Sequence, residues 1–174
     1  GQLPTDKVIV LPNNKNIFLA AEAARDLCAK EVAVVPSRSV PQGIAALMAL
    51  NPDRDVVTNA RAMEQALALV RTGEITRATR TVELDGVAVT EGSLVGLVDG
   101  RLCSSGPDER TVLDDLLGRM VMEDCGILTV YYGADVAIER AAETAEHIRE
   151  RFPDLEVEVV EGGQPHYFYI LGAE

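Results

Sequence analysis

The sequence predicts an α/β protein of two lobes, a parallel α/β lobe over residues 1–73 and a more antiparallel α+β lobe over residues 74–174. Two observations carry this prediction. Up to Gly73, short apolar segments alternate with amphipathic helical patterns, an order typical of parallel strands joined by right-handed crossovers. After Gly73, short segments alternate between apolar and polar residues and turn at two Asp-Gly pairs, which favours antiparallel hairpins.

The first lobe is predicted to contain three strands, each followed by a helix. A continuous apolar segment is typical of a strand that is buried on both faces. The three such segments are residues 7–12, 31–37 and 54–58. The asparagines of residues 13–16 are good N-caps for the first helix, and Ser39 and Gln42 have capping-box spacing at the start of the second. Gly73 predicts the C-terminal end of the third helix.

The second lobe is predicted to begin with an antiparallel meander over residues 74–103. Its turns are predicted at the Asp-Gly pairs 85–86 and 99–100, because this dipeptide favours two-residue hairpin loops. Asp135 is predicted to cap a later helix. The other predicted elements are a helix at 109–122, a strand at 126–133, a helix that ends before Pro153, and strands at 155–160 and 166–171.

Charge and cysteine content exclude several classes of function. The net charge is −12, with 28 acidic and 16 basic residues, which argues against binding to nucleic acid or to an anionic membrane. An acidic domain instead suits a partner with a basic face. No apolar segment approaches the roughly 20 residues of a membrane span. Cys28, Cys103 and Cys125 have no metal or disulfide spacing, so we expect a reduced, cytoplasmic protein.

No catalytic or metal site is predicted. His147 and His166 are the only histidines, and neither has a second His or Cys at ligand spacing. His147 follows Glu143 by four positions, which favours a solvated helix face. The sequence contains no nucleophile elbow and no glycine-rich phosphate loop, so no cofactor is expected within this chain.

Two polar loops follow predicted strands of the first lobe and form a candidate ligand site. Residues 13–16 follow the first strand, and Ser37, Arg38 and Ser39 follow the second. Ligands of parallel sheets usually bind at the carboxyl ends of strands, where helix N-termini offer backbone N–H groups to anions. Lys15 and Arg38 would then lie on one rim. The alternative is that both loops only cap helices.

The end of the sequence is rich in aromatic residues. Five of the seven aromatic residues lie on two predicted strands that we expect to be close together: Tyr131, Tyr132, Tyr167, Phe168 and Tyr169. Tyr167 and Tyr169 would point to one face of the last strand, after a turn at 164–165 that aligns it. Exposed tyrosines suit a protein interface, and the alternative is ordinary packing of the sheet against a helix.

Several of these segments resemble one known family along almost the whole chain. They are VLPNNKNIFLAAEAA, VAVVPSRSVPQGIAALMALNP, TGEITRATRTVELDG, LTVYYGAD and EGGQPHYFYILGAE. They are similar to the C-terminal domain of the bacterial fatty acid kinase A protein, which is dihydroxyacetone-kinase-like. The resemblance implies a DegV-like fold and a fragment of a longer kinase. In such a kinase, ATP and magnesium are expected in a separate N-terminal domain, so no kinase residue is carried over to this chain.

The resemblance further implies a function in docking. DegV-type proteins of this system carry the fatty acid that is phosphorylated, and they hold its carboxylate with small hydroxyl residues at strand ends. Here Ser37 and Ser39 are flanked by the bulky Arg38 and Pro41. We therefore expect a non-catalytic domain that docks the acyl-carrying protein or other domains of the parent kinase. The alternative is a free-standing fatty acid or small-anion binder. The predicted partner-binding residues are Asn13, Asn14, Lys15, Asn16, Gln164, Pro165, Tyr167 and Tyr169.

Overall fold

The computed structural model describes residues 3–121 and 125–174, and the chain divides into an N-terminal unit, Gly1–Val70, and a C-terminal unit, Arg71–Glu174. The described part of the chain contains no helix that is long and apolar enough to cross a membrane. The N-terminal unit consists of β1 (Lys7–Val10), α1 (Phe18–Asp26), β2 (Glu31–Val34), α2 (Val40–Met48) and α3 (Val56–Leu67).

The N-terminal unit is built on a parallel pair of strands, as predicted. β1 and β2 pair in register from Lys7 opposite Glu31 to Val10 opposite Val34. The α2 and α3 helices pack together and bury a small core against β2. This core consists of Val35, Ala46, Met63 and Leu67.

The predicted third strand at residues 54–58 is wrong, because this segment begins α3. The carboxylate of Asp55 accepts a hydrogen bond from the backbone N–H of Thr58 at 2.7 Å and caps the helix. The valines after the cap then form the first turn of the helix. The helix ends at Leu67, so Gly73 does not terminate it and instead lies within the next strand.

Two helix N-caps were predicted in the N-terminal unit, and one of them is observed. Ser39 does cap α2, and its Oγ accepts a hydrogen bond from the N–H of Gln42 at 3.4 Å. The N-cap of α1 is Ile17, which makes no side-chain capping bond. The asparagines shape the preceding turn instead, where Asn14 Oδ1 accepts from the N–H of Asn16 at 2.9 Å.

The C-terminal unit is dominated by antiparallel strands, as predicted. Its elements are β3 (Arg71–Arg77), β4 (Val82–Leu84), β5 (Val87–Val89), β6 (Leu94–Val98), β7 (Arg101–Gly106), α4 (Glu109–Met120), β8 (Ile127–Tyr132), α5 (Ile138–Arg151), β9 (Glu156–Glu161) and β10 (Tyr167–Ala173). Six strands form one sheet in the order β7-β6-β3-β10-β8-β9, in which only β8 and β9 are parallel. Residue 122, predicted as the end of α4, lies outside the described residues.

Both predicted Asp-Gly turns are confirmed. Asp85 and Gly86 have φ values of 54° and 78°, and Asp99 and Gly100 have φ values of 50° and 74°. Positive φ at both central residues is the requirement of a type I′ hairpin turn. The first turn joins β4 to β5, and the second joins β6 to β7. These turns therefore set the register of the two hairpins.

The core of the C-terminal unit lies between the large sheet and two helices, α4 and α5. Leu116, Leu117 and Met120 of α4 and Ile148 of α5 are fully buried in it. The predicted cap at Asp135 is wrong, because the N-cap of α5 is Ala137 and makes no side-chain hydrogen bond.

Candidate functional site

The two polar loops of the N-terminal unit meet at the carboxyl ends of β1 and β2. The backbone N–H of Asn13 donates a hydrogen bond to Oγ of Ser37 at 3.0 Å. Neighbouring parallel strands end at the same edge of a sheet, so the two loops that follow them are brought together. The convergence of the predicted candidate loops is therefore confirmed at these two residues.

Asn13, which was predicted as a possible N-cap and as a partner-binding residue, has a structural role that the sequence analysis did not predict. Its φ of 53° is left-handed, a conformation that asparagine adopts more readily than most residues. Its side chain packs against Gly43 of α2, where a Cβ atom would overlap the Asn13 amide. Asn13 Oδ1 is buried and accepts no hydrogen bond from the described residues. Asparagine after a buried strand and glycine inside VPQG were the available signals.

The serine loop is built into the fold. Ser37 is fully buried, and Ser39 is 9% exposed. Gln42 closes the loop, since its Oε1 accepts a hydrogen bond from the N–H of Arg38 at 2.9 Å. Ser37 thus holds Asn13, and Ser39 caps α2. A carboxylate could reach Ser37 only after the loop had moved, which distinguishes this arrangement from an open anion site.

The rest of the first loop lies at the surface. Asn14, Lys15 and Asn16 are exposed. The N–H of Ile17 donates to the carbonyl of Asn14 at 3.1 Å, which closes a turn before α1. The loop therefore presents amide and ammonium groups to solvent on a defined turn.

The Gly-Gly-Gln-Pro turn is attached to the end of β8. The N–H groups of Gly162 and Gly163 both donate to the carbonyl of Tyr132, at 3.0 and 3.2 Å. Nε2 of Gln164 donates to the carbonyl of Tyr131 at 3.0 Å. Gln164 therefore has a structural role, whereas Pro165 in the same turn is exposed.

The two strands that carry the aromatic residues are neighbours, as predicted. The exposed face of Tyr167 and Tyr169 that was also predicted does not form. β8 and β10 pair antiparallel, with Tyr169 opposite Tyr132. The prediction of Tyr169 as a partner-binding residue is wrong, because its side chain is fully buried. An irregularity in the register between Tyr167 and Tyr169 interrupts the strict alternation that the sequence prediction assumed. Tyr167 is half-buried and remains available at the surface.

A charged cluster joins α4 to α5. Asp114 Oδ1 lies 2.8 Å from Nε2 of His147 and 2.5 Å from an amino group of Arg151. Burial acts to raise the pKa of Asp114, but the hydrogen bonds from His147 and Arg151 outweigh it and lower the pKa. His147 therefore pairs across helices rather than facing solvent beside Glu143. This pairing could not be read from spacing along one helix.

The same helices border an open cavity of about 330 Å³ that contains Glu109, Arg140 and His147. Arg140 forms an ion pair with Glu109 in this cavity, whose lining also includes Asp108, Arg110 and Glu143. Across residues 3–121 and 125–174, no group of three or more His, Cys, Asp or Glu side chains is placed to hold a metal ion.

The net charge is distributed very unevenly between the two units. Residues 1–70 contain seven Lys and Arg and seven Asp and Glu, whereas residues 71–174 contain nine and twenty-one. The N-terminal unit is therefore neutral, and the whole net charge of −12 belongs to the C-terminal unit. A strongly acidic surface attracts basic partners over several ångströms at low salt.

Comparison with known sequences identifies one family and relatives that are much longer than this chain. The profile of the FakA-like C-terminal family, which describes the C-terminal part of fatty acid kinase A-like proteins, matches residues 2–174. An uncharacterized protein of Staphylococcus aureus (strain USA300) is 39% identical over 168 residues, and protein YloV of Bacillus subtilis is 36% identical over 169 residues. Each alignment covers 97% of this chain and 31% of the relative. The chain thus spans less than a third of the length of these relatives.

Comparison with solved structures identifies the fold. The fatty acid kinase B3 protein of Streptococcus pneumoniae, loaded with linoleic acid, matches with a TM-score of 0.67 at 9% identity, over 98% of this chain and 72% of that chain. The DegV family protein Cg2579 of Corynebacterium glutamicum matches with a TM-score of 0.65 at 16% identity, over 97% and 73%. At such low identity the likeness concerns the fold, which is DegV-like. The family profile and the relatives together show that the chain belongs to the FakA-like C-terminal family of fatty acid kinase proteins.

Proposed function

We propose that this chain is the docking domain of a cytoplasmic fatty acid kinase. It receives a DegV-type protein that carries the fatty acid, and it is itself non-catalytic. Phosphorylation takes place in a kinase domain elsewhere in the parent protein, where ATP and magnesium bind. The chain then contributes affinity and placement rather than a reacting group.

One observation carries this proposal: the chain has the fold of a carrier, but its strand-end serines are engaged inside the fold. Ser37 is fully buried and accepts a hydrogen bond from Asn13, and Ser39 caps α2. Neither hydroxyl is presented to a fatty acid carboxylate. This chain has a DegV-like fold and belongs to a kinase family, but its strand-end serines do not form an open carboxylate site. We therefore interpret it as a domain that binds another protein.

The charge of the C-terminal unit supports a protein partner with a basic face. A net charge of −12 on one unit would speed the encounter with such a face and would make it sensitive to salt. The proposed contacts are the loop 13–16 of the N-terminal unit, of which residues 14–16 are exposed, and the exposed Pro165 and half-buried Tyr167 of the C-terminal unit. Variants at Lys15 and Tyr167 test the two units separately.

The experiment is a calorimetric titration of an acyl-loaded DegV-type protein into this chain, with Lys15→Ala and Tyr167→Ala as variants. A residue at the contact should weaken association by at least ~1 kcal/mol, about fivefold. Arg61→Ala is the control for Lys15→Ala, because Arg61 is also an exposed cation of the N-terminal unit. Raising the salt concentration should weaken the wild-type association.

Three results would contradict the proposal. If the loaded carrier does not associate with the chain at all, docking is excluded. If purified chain contains one acyl chain per molecule by native mass spectrometry, the chain is a fatty acid binder in its own right. If it hydrolyses ATP above the buffer blank after rigorous purification, it is catalytic.

A further inference from the structure

The β1 strand has an open edge. In its parallel pairing with β2, the carbonyl of Asp6 accepts from the N–H of Glu31 at 2.9 Å, and that of Val10 accepts from the N–H of Val35 at 3.0 Å. Alternate residues of a strand direct their backbone groups to opposite sides, so those of Ile9 point away from β2. In the described part of the chain, no strand pairs with that side of β1.

A groove runs along this open edge. It has a volume of about 360 Å³, and its strand side is lined by the consecutive residues Lys7, Val8 and Ile9 and by Leu11, just after the strand. Consecutive side chains of a strand point to opposite faces, so three in a row line one groove only where it follows the strand edge. We call this feature the β1 groove.

The wall opposite β1 is apolar and held in place. Leu47, Leu50, Val56 and Met63 line it. Leu47 and Leu50 are 56% and 41% exposed, although leucine is usually buried. The loop that carries Leu50 is clamped by the buried Asn59, whose Oδ1 accepts from the N–H of Asn51 at 2.8 Å and whose Nδ2 donates to the carbonyl of Arg54 at 3.2 Å. The wall is therefore formed before anything binds.

The charged residues that line the β1 groove are both cations, Lys7 and Arg54. Both side chains are exposed, and neither forms an ion pair with another described residue. The N-terminal unit as a whole is neutral, and Lys7 and Arg54 are the charged residues that it places in the groove. The groove is therefore complementary to an extended segment that carries both apolar side chains and carboxylates.

We propose that the β1 groove binds an extended segment of a partner protein, which adds to β1 as a further strand. Apolar and acidic residues share one face of this segment, at every second position, because Lys7 and Ile9 point to the side of β1 on which the groove leucines lie. Its backbone bonds with Ile9, its apolar side chains pack against Leu47 and Leu50, and its carboxylates face Lys7 and Arg54. Strand addition of this kind takes affinity from main-chain bonds and specificity from alternate side chains. The site is independent of the docking loops described above.

A small-molecule ligand and a second copy of the chain explain the groove less well. A small ligand would not require the backbone groups of an open strand edge. A second copy that used its own β1 would add further cations, its own Lys7 and Arg54, to an interface that already contains two, and like charges at an interface are unfavourable.

The test is fluorescence anisotropy of the whole chain with a labelled peptide, about six residues long, in which every second residue is threonine and the others are valine or glutamate. Saturable binding is expected. The double variant Lys7→Glu/Arg54→Glu should weaken it at least about fivefold, because it replaces two exposed attractions with repulsions. Lys15→Glu/Arg61→Glu also turns two exposed cations into two anions, but outside the groove, and should have no effect. Leu47→Ser should also weaken binding, whereas Leu69→Ser, at a 76% exposed leucine outside the groove, should not.

Methylation of the peptide nitrogens distinguishes strand addition from simple charge attraction. Two peptides are compared, one N-methylated at its valines and glutamates and one N-methylated at its threonines. One should lose binding and the other should keep it, because only alternate N–H groups face β1.

Four results would overturn the proposal: no saturable binding, equal binding of a peptide with lysine in place of glutamate, equal effects of both methylated peptides, or equal effects of the groove variants and their controls. Light scattering adds a fifth. A concentration-dependent rise in mass that Lys7→Glu/Arg54→Glu abolishes would assign the groove to a second copy of the chain.

Discussion

The phenol oxygen of Tyr169 lies 3.0 Å from the hydroxyl oxygen of Thr144 and joins β10 to α5. The hydroxyl of Thr144 donates to the carbonyl of Arg140 at 2.9 Å. Since a threonine hydroxyl has one proton, Tyr169 must be the donor in the pair. Burial also raises the pKa of Tyr169, so the phenol keeps that proton well above neutral pH.

We expect Tyr169→Phe to destabilise the chain by about 1 kcal/mol, the usual net contribution of one hydrogen bond. The ring still fills its site, and Thr144 keeps its bond to Arg140. Urea unfolding followed by circular dichroism measures the change. Tyr167→Phe is the control and should stay within about 0.5 kcal/mol. Equal losses in both variants would show that the hydroxyl of Tyr169 has no special role.

Gly133 should not tolerate a side chain. A Cβ atom there would overlap the backbone carbonyl of Tyr167, which cannot swing aside as a side chain can. We expect Gly133→Ala to cost more than about 3 kcal/mol, or to prevent folding. Gly126→Ala is the control, since a Cβ at Gly126 meets no atom within 4 Å. A stable Gly133→Ala variant would contradict the close approach of these two backbone segments.

The pairing of Asn13 with Gly43 predicts a compensating double substitution. Gly43→Ala should destabilise the chain by about 1–2 kcal/mol, because the new methyl group overlaps the Asn13 amide. Asn13→Gly removes that amide and suits the φ of 53°. Gly43→Ala should therefore cost at least about 0.5 kcal/mol less in the Asn13→Gly background. Strictly additive effects in urea unfolding would show that the two residues do not compete for space.

We expect Asp114 to make the free energy of unfolding depend on pH in the acidic range. A carboxyl whose pKa is lowered on folding adds stability above its unfolded pKa, about 3.9, and this contribution is lost as the pH falls through the folded value. Asp114→Asn should therefore cost stability at pH 6, by less than about 1 kcal/mol because the pair is partly exposed. The difference from wild type should shrink below about pH 4.

The control for this titration is Asp154→Asn, at an exposed aspartate of the same unit. Its effect on the free energy of unfolding should be small at both pH values. A loss at Asp114 that is unchanged between pH 6 and pH 3 would show that the substitution acts through packing rather than charge.

Local chemistry was a reliable guide to the fold wherever one residue pair decides the geometry. The turns at 85–86 and 99–100 need positive φ at two positions, and Asp-Gly supplies it. Residues 54–58 show the opposite case. Their valines favour a strand, but the carboxylate of Asp55 caps the N–H of Thr58 and the segment starts a helix. A cap and a strand propensity compete there, and the apolar pattern alone does not decide between them.

The candidate sites were predictable only in part, for a different reason. The two loops of the N-terminal unit follow parallel strands, so their meeting at Asn13 and Ser37 follows from topology. Burial of Tyr169 depends on the register of β10 against its neighbours, where an irregularity after Tyr167 interrupts the alternation of faces. The open edge of β1 could not be foreseen, because 54–58 was expected to be a strand of the same sheet.

The place of β10 in the sheet has a consequence for synthesis on the ribosome. Tyr167–Ala173 is translated after every other strand, yet it lies between β3 and β8 and hydrogen-bonds to both. While these residues are still inside the ribosome, β3 and β8 each expose an edge to the surrounding solution. Such edges are templates for wrong pairing. We expect chaperone dependence to concentrate in that interval and a deletion of the last strand to give aggregates rather than a smaller folded domain.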